Sequence, residues 1–284
     1  MTVVGITGAT GALGRRITDY VLRSHPAEQL VLVSRTPKQL VIPDGMPVTV
    51  RRADFDDADA LRDAFAAIDV LMLISTDAVG RRGAQHKAAI AAAAKAGVER
   101  IIYTSMTNAN AEFPTRLRFL SGDHAATETA LFTAGPAWTL LRNALYMEAY
   151  APMWRQAGSS GRLVTNNGAG RHAPVARDDC AAAAAAVLLG DAHDNRIYDI
   201  AGPRLVDDSD LADVLTRRHG RYVEGVCVGD QQFHAGLLAA GMPREMADVA
   251  TGFGRAIREN RFITPLGDTE KLIGRSPVDI ATFL

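Results

Sequence analysis

The sequence predicts an α/β fold, a doubly wound parallel sheet with a smaller α/β region after it, and three observations lead there. A short apolar run, Val3-Val4-Gly5-Ile6, enters the glycine-rich stretch Thr7 to Gly14, and a helix-like run, Arg15 to Leu22, follows at once. Further short, β-branched runs then alternate with helix-period segments, the rhythm of strands buried on both faces with crossover helices. Beyond Asn143 that rhythm gives way to large amphipathic side chains, a glycine-rich turn region and several helices.

In order, Leu30 to Ser34 reads as strand two, stopped by Arg35-Thr36-Pro37, and Val48 to Arg52 as strand three, with Asp54-Phe55 at its ligand-facing end. Ala58 to Ala67 is helical, since Leu61, Ala64, Phe65 and Ile68 fall at three and four spacing. Val70 to Ile74 is strand four, and Ser75-Thr76 open its loop. The helix Ala84 to Ala96 ends at Gly97, before strand five, Arg100 to Ser105. A proline-broken segment, 106–120, precedes a helix from Gly122 to Thr133, and Trp138 to Arg142 is strand six. Tyr146, Met147, Tyr150, Met153 and Trp154 form either a substrate wall or the packed stripe of a helix. Residues 158–170 read as turns, Ala181 to Leu189 as a tightly packed helix, and Ile197 to Ile200 as the last sheet strand. From Asp207 come an Asp-capped helix, a strand over 222–228, and two helices parted near Gly241-Met242-Pro243. The expected division is a dinucleotide-type domain over 1–150, with return segments near 173–200, and a mainly substrate-binding region over 151–284.

With 284 residues and a formal charge of -1, the chain can bury a full core and lacks the basic surface that nucleic acid or an anionic membrane would need. Cys180 and Cys227 carry no zinc or disulfide spacing, so no metal is expected. No apolar run approaches the ~18 residues of a membrane span, and the first strand begins so early that no leader is expected. The expectation is a cytoplasmic protein of undecided oligomeric state.

The glycines fall as G-x-x-G-x-x-G, with Gly8 for the bend, Gly11 for close approach of a phosphate and Gly14 for helix-to-sheet packing. Gly8, Thr10, Gly11, Ala12 and Leu13 would surround a dinucleotide pyrophosphate at the helix start. At the end of strand two, where NAD sites carry a carboxylate, stands Ser34-Arg35. A guanidinium attracts a 2′-phosphate that a carboxylate would repel, which favours NADP(H), with Lys38 adding charge; the alternative is a solvated Arg35 without a ligand role.

Reductases with this kind of loop usually carry Tyr-x-x-x-Lys. The four lysines, Lys38, Lys87, Lys95 and Lys271, are preceded at four residues by Ser34, Gly83, Ala91 and Gly267, so the pair is absent. No G-x-S-x-G or H-E-x-x-H replaces it. Hydride transfer to an acceptor that needs no strong general acid remains, and a quinone fits because the arriving charge is delocalised. Asn143 and Tyr146 are candidates for hydrogen bonds to the nicotinamide or the acceptor oxygen. His124 and Glu128, one helical turn apart, are a second candidate pair for the proton, while His86 reads as structural.

TGATGALG, SRTPKQ, ADFDD, LMLIS with Gln85-His86, IIYTS, HAATET and LLRNALYMEAY, in this order, resemble the NmrA-like atypical short-chain reductases. The likeness extends through VARDD, YDIAG and LIGR, and within the family runs to the bacterial NADPH:quinone oxidoreductases and triphenylmethane dye reductases. It implies a Rossmann domain with a small C-terminal domain, NADPH as donor and the acceptor between them. By position it puts Thr10, Gly11 and Leu13 on the pyrophosphate, Arg35 on the 2′-phosphate, Asp54 and Phe55 at the adenine, and Ile74 and Ser75 along the ribose. Tyr103, Thr104, Asn143 and Tyr146 would approach the nicotinamide, with Arg177 as an addition. The expected activity is NADPH-dependent reduction of quinones or similar flat, electron-poor aromatics; a non-catalytic NADP(H) sensor of the NmrA type is the alternative.

Overall fold

The computed structural model describes residues 2–78, 80–114 and 117–284. Seven strands form one parallel sheet: β1 (Val4–Thr7), β2 (Leu30–Ser34), β3 (Thr49–Arg52), β4 (Val70–Leu73), β5 (Arg100–Met106), β6 (Ala137–Asn143) and β8 (Arg196–Ile200). Their order is β3-β2-β1-β4-β5-β6-β8, so the strand sequence reverses between β1 and β4 and opens a crevice at their carboxyl ends. Every described pairing in this sheet is parallel; in β1 and β2, for example, Val4 faces Leu30 and Thr7 faces Val33.

Because side chains alternate along a strand, each apolar run serves both faces. Leu30 and Leu32 join a core with Ile6, Met72, Ile102 and Leu141, closed by α1 (Ala12–Val21) and α6 (Arg177–Leu189). Val31 and Val33 join the opposite core with Leu71, Leu73 and Ile101, closed by α2 (Ala58–Phe65), α3 (Arg82–Lys95) and α4 (Arg118–Phe132). The alanines of α6 are buried through Ala181, Ala183, Ala184 and Ala185, which lets α1 lie close against it.

A third core is built by α5 (Met147–Ser160), β7 (Arg162–Thr165) and α7 (Asp208–His219) around Trp154, Leu163, Leu211 and Leu215, with β9 (Glu224–Cys227) at its edge. Here β7 pairs in parallel with β9, although residues 158–170 read as turns in the sequence. With burial alternating along Arg162–Thr165 and glycine on its flank, this strand is too short to show a period of its own. Asp207 caps α7 by a full capping box with Asp210, as the aspartate-rich start suggests. Helices α8 (Asp230–Ala239) and α9 (Arg244–Arg258) follow; Val249, Phe253 and Ile257 of α9 pack with Met106, Phe113 and Leu145 beside the ends of β5 and β6. The last two helices, α10 (Asp268–Ile273) and α11 (Ile280–Phe283), have no counterpart in the sequence reading. Leu272 and Ile273 of α10 return to the sheet core, so the late part of the chain is shared between sheet and third core. Among the described residues no helix is long and apolar enough to cross a membrane.

Candidate active site

A cleft of about 550 Å³ runs along the carboxyl ends of β2, β1 and β4. Its floor is the loop after β1. Gly8 sits at φ +60°, and a Cβ on Gly14 would overlap the Gly8 carbonyl oxygen and come within 2.9 Å of Ala9 Cα. The loop therefore folds flat onto the first turn of α1. That turn starts at Gly11 with no side-chain cap and no acidic residue, which leaves its first amides and the positive end of the helix dipole for an anion. Such a cradle, which one added methyl would fill, fits a dinucleotide pyrophosphate. Gly8, Thr10, Gly11, Ala12 and Leu13 all line it.

At the end of β2, Ser34 is buried, and its Oγ is 2.9 Å from Thr10 Oγ1 and accepts from Thr36 N at 3.1 Å. Arg35 is exposed on the cleft rim, whereas Lys38 is not among the lining residues. Arg15 braces this end, donating from Nε to Thr10 O at 2.9 Å and from Nη2 to Gln39 O at 3.2 Å. Asp54 and Phe55 line the adjacent wall, and Ile74, Ser75 and Thr76 the opposite one. Sequence reasoning assigned no role to Thr36, Gln39 and Gln85, which line the cleft although they lie inside quoted motifs, or to Arg15, which braces it from behind, because only the fold brings these side chains to one place.

Tyr146 closes the far end of the cleft. Asn143 is buried behind it and donates from Nδ2 to Tyr146 Oη at 2.9 Å, while its own Oδ1 has no hydrogen-bond partner among the described residues. The Arg177 guanidinium lies over the Tyr146 ring, 4.8 Å from its centroid. Burial pushes the Tyr146 phenol well above its ordinary range, so it is a neutral donor at any physiological pH. Of the stripe on α5, Met147 and Trp154 belong to the core and only Tyr146 reaches the cleft.

Several other expected residues stand behind the walls. Thr104 Oγ1 accepts from Ser75 N at 2.8 Å, and Tyr103 is wholly buried. His124 does not line the cleft: its Nδ1 is 2.7 Å from Tyr103 Oη and its Nε2 3.2 Å from Arg82 Nη1. Burial, aided by Arg82, pushes its pKa down to about 3, a poor state for a proton donor. Glu128, its partner in the sequence reading, is buried in a two-pronged contact with Arg142, at 3.0 and 2.7 Å, and accepts from Ser105 Oγ at 2.7 Å. The face of α4 that the sequence offered for proton transfer is thus a structural face.

His86 and His172 are likewise buried, and burial holds each at about 4. In the unfolded chain all three histidines titrate near ~6.5. As pH falls below that value the unfolded state takes up protons that the folded state refuses, so stability declines as pH drops from about 6.5 toward about 4. Urea midpoints at about pH 7.5 and about pH 5 measure it, and His172→Phe should flatten the slope. An equal midpoint at the two pH values contradicts the assignment.

A family model described as NAD(P)H-binding matches residues 8–191. Quinone oxidoreductase 2 of Escherichia coli (strain K12) is 33% identical over 98% of this chain and 96% of its own length. The crystal structure of an E. coli NADPH-dependent quinone oxidoreductase complexed with NADPH superposes with a TM-score of 0.92 at 33% identity, covering 98% of this chain and 97% of the other. A Citrobacter sp. triphenylmethane reductase complexed with NADP(H) also gives 0.92, at 29% identity and with 99% and 98% coverage. The glycine cradle, the strand order and these full-length likenesses agree: the chain belongs to the NAD(P)H-binding family and is one of its oxidoreductases.

Proposed function

We propose that the protein is an NADPH-dependent reductase of quinones or similar flat, electron-poor aromatics, working in the cytoplasm. The observation that carries this reading is the Asn143–Tyr146 pair. Because Asn143 donates to the phenol oxygen, the phenol hydrogen is left to point elsewhere, and the nearest open space is the cleft. A neutral donor suits an acceptor oxygen whose negative charge is spread over a ring. The missing Tyr-x-x-x-Lys pair and the inward-turned His124 favour an acceptor whose reduced form takes its proton from water.

NADPH, when bound, supplies the hydride. Gly8, Thr10, Gly11, Ala12 and Leu13 would hold the pyrophosphate, Arg35 the 2′-phosphate, Asp54 and Phe55 the adenine, and Ile74 and Ser75 the ribose. Tyr103 and Thr104 contribute through the side chains and amides they hold in place, and Arg177 by keeping the Tyr146 ring oriented. The acceptor would enter beside Tyr146, where the cleft ends. Quinones and dyes are what the relatives named above are called after, and this chain matches them over nearly its whole length.

Replacing Tyr146 by Phe removes the hydroxyl and keeps the ring under Arg177. Turnover with a quinone should fall about tenfold, less than the ~10²–10³ of a donor facing a localised oxyanion. Steady-state kinetics test it, and a variant with unchanged kcat and unchanged KM for the acceptor would remove Tyr146 from this role.

A further inference from the structure

The wall formed by Ile74, Ser75 and Thr76 has no regular structure, because β4 ends at Leu73 and its ladder stops there. Three consecutive backbone N–H groups nevertheless find side-chain acceptors on three different elements. Ile74 N donates to Thr7 Oγ1 of β1 at 3.0 Å, Ser75 N to Thr104 Oγ1 of β5 at 2.8 Å, and Thr76 N to His86 Nε2 of α3 at 3.0 Å. Polar backbone groups away from water must be paired, and here the pairing also decides where each peptide points. All three amides are turned away from the cleft.

The His86 contact requires one tautomer. Thr127 Oγ1 donates its hydrogen to Asp123 O at 2.7 Å, so toward His86 Nδ1, 3.0 Å away, it is an acceptor. The imidazole hydrogen therefore sits on Nδ1, and Nε2 keeps the lone pair that Thr76 N–H needs. Tyr103 Oη, 3.3 Å from the same Nδ1, stands behind the ring and is held by His124 at 2.7 Å. Arg82 can only donate, so its 3.2 Å contact leaves His124 Nε2 as acceptor and puts the His124 hydrogen on Nδ1, toward Tyr103. Beside this contact Thr76 Oγ1 donates to Gln85 Oε1 at 3.0 Å, so two neighbouring residues of α3 grip one cleft-lining residue.

We propose that His86 is a positioning residue for the dinucleotide: its unprotonated Nε2 fixes the Thr76 peptide, and with it the wall against which the cofactor's ribose and nicotinamide half is laid. The histidine touches neither cofactor nor acceptor. Without the acceptor nitrogen the Thr76 N–H is left buried and unpaired, and the peptide turns toward the cleft to find water. The wall then intrudes on the space the dinucleotide needs. This inference rests on the dinucleotide cleft of the proposed function and not on the identity of the acceptor.

The test uses NADP⁺ as probe, with calorimetry on the full chain and amide hydrogen exchange by NMR. His86→Leu removes the acceptor, and His86→Gln restores an oxygen that can reach the same N–H. Leu should raise the NADP⁺ Kd about tenfold, as expected for a buried donor left unpaired, and speed Thr76 amide exchange by at least as much. Gln should stay within about threefold of the wild type on both readouts, and kcat at saturating dinucleotide should change far less than Kd in either variant. Wild-type affinity in His86→Leu, or equal losses in Leu and Gln, overturns the proposal. If the Leu variant does not fold, the wild type and Gln decide: a Thr76 amide that exchanges as fast as an exposed one in either overturns it, and a protected one supports it. A wild type that fails to bind NADP⁺ at all would instead refute the dinucleotide reading.

Discussion

Gly14→Ala is expected to weaken NADPH binding about a hundredfold, close to 2.7 kcal/mol at ~1.36 kcal/mol per decade. The added methyl would meet the Gly8 carbonyl oxygen and, at 2.9 Å, Ala9 Cα, both of them backbone. No rotamer change relieves that overlap, so the loop must lift from the first turn of α1, and the amide cradle opens as it does. Gly122→Ala, on α4, is the control. A Cβ there meets nothing within 4 Å, and replacing a helical glycine by alanine should leave binding intact and raise stability by up to ~1 kcal/mol. Isothermal calorimetry and urea melts of both variants separate the two outcomes; wild-type affinity in Gly14→Ala would show that the loop does not hold the pyrophosphate.

Arg35→Asp should lower the preference for NADPH over NADH, taken as the ratio of kcat/KM values, by about a hundredfold. A charge at ~4 Å from the 2′-phosphate acts with about 4 kcal/mol at an effective dielectric of ~20, and the substitution changes attraction into repulsion. Arg35 is exposed, so solvent and salt screen much of that sum, and about two decades is what remains. Ser34, buried and bonded to Thr10 and Thr36, holds the end of β2 in place in either variant, which confines the effect to the charge. The loss should shrink as ionic strength rises. An unchanged ratio would return Arg35 to a solvated loop residue.

The sheet was legible because its inner strands are buried on both faces and so are written as largely apolar runs: Leu30–Ser34 is a strand to the residue. Edges were harder. The first helix begins at Ala12 rather than Arg15, because glycine and alanine carry no periodic signal, and α4 begins at Arg118, inside the proline-broken segment and ahead of the expected Gly122. Strand β7 and helices α10 and α11 escaped for a different reason: each is short, and each is held by tertiary contact rather than by its own pattern.

The same divide runs through the site. The glycine loop, Ser34-Arg35, Asp54-Phe55 and Ile74-Ser75 are local to strand ends, and the parallel topology carries them to the cleft. Tyr103, near the end of a strand, and His124, on a helix, looked equally available in the sequence, yet both turn into a polar cluster with His86 and Arg82. Which way such a side chain faces depends on partners distant in sequence, Arg82 and His124 for example, and no motif records them. The Thr76–His86 contact is hidden in the same manner, although both residues lie within a dozen positions of each other.

The central claim is hydride transfer from NADPH to a flat aromatic acceptor. Mixing the protein with NADPH and a panel of quinones and cationic dyes, without oxygen, and following the nicotinamide absorbance tests it most directly. The account predicts NADPH oxidation that matches acceptor reduction mole for mole, faster with NADPH than with NADH and slowed by Tyr146→Phe. Tight NADPH binding with no oxidation by any acceptor would contradict it and leave a dinucleotide-binding protein that catalyses no reduction.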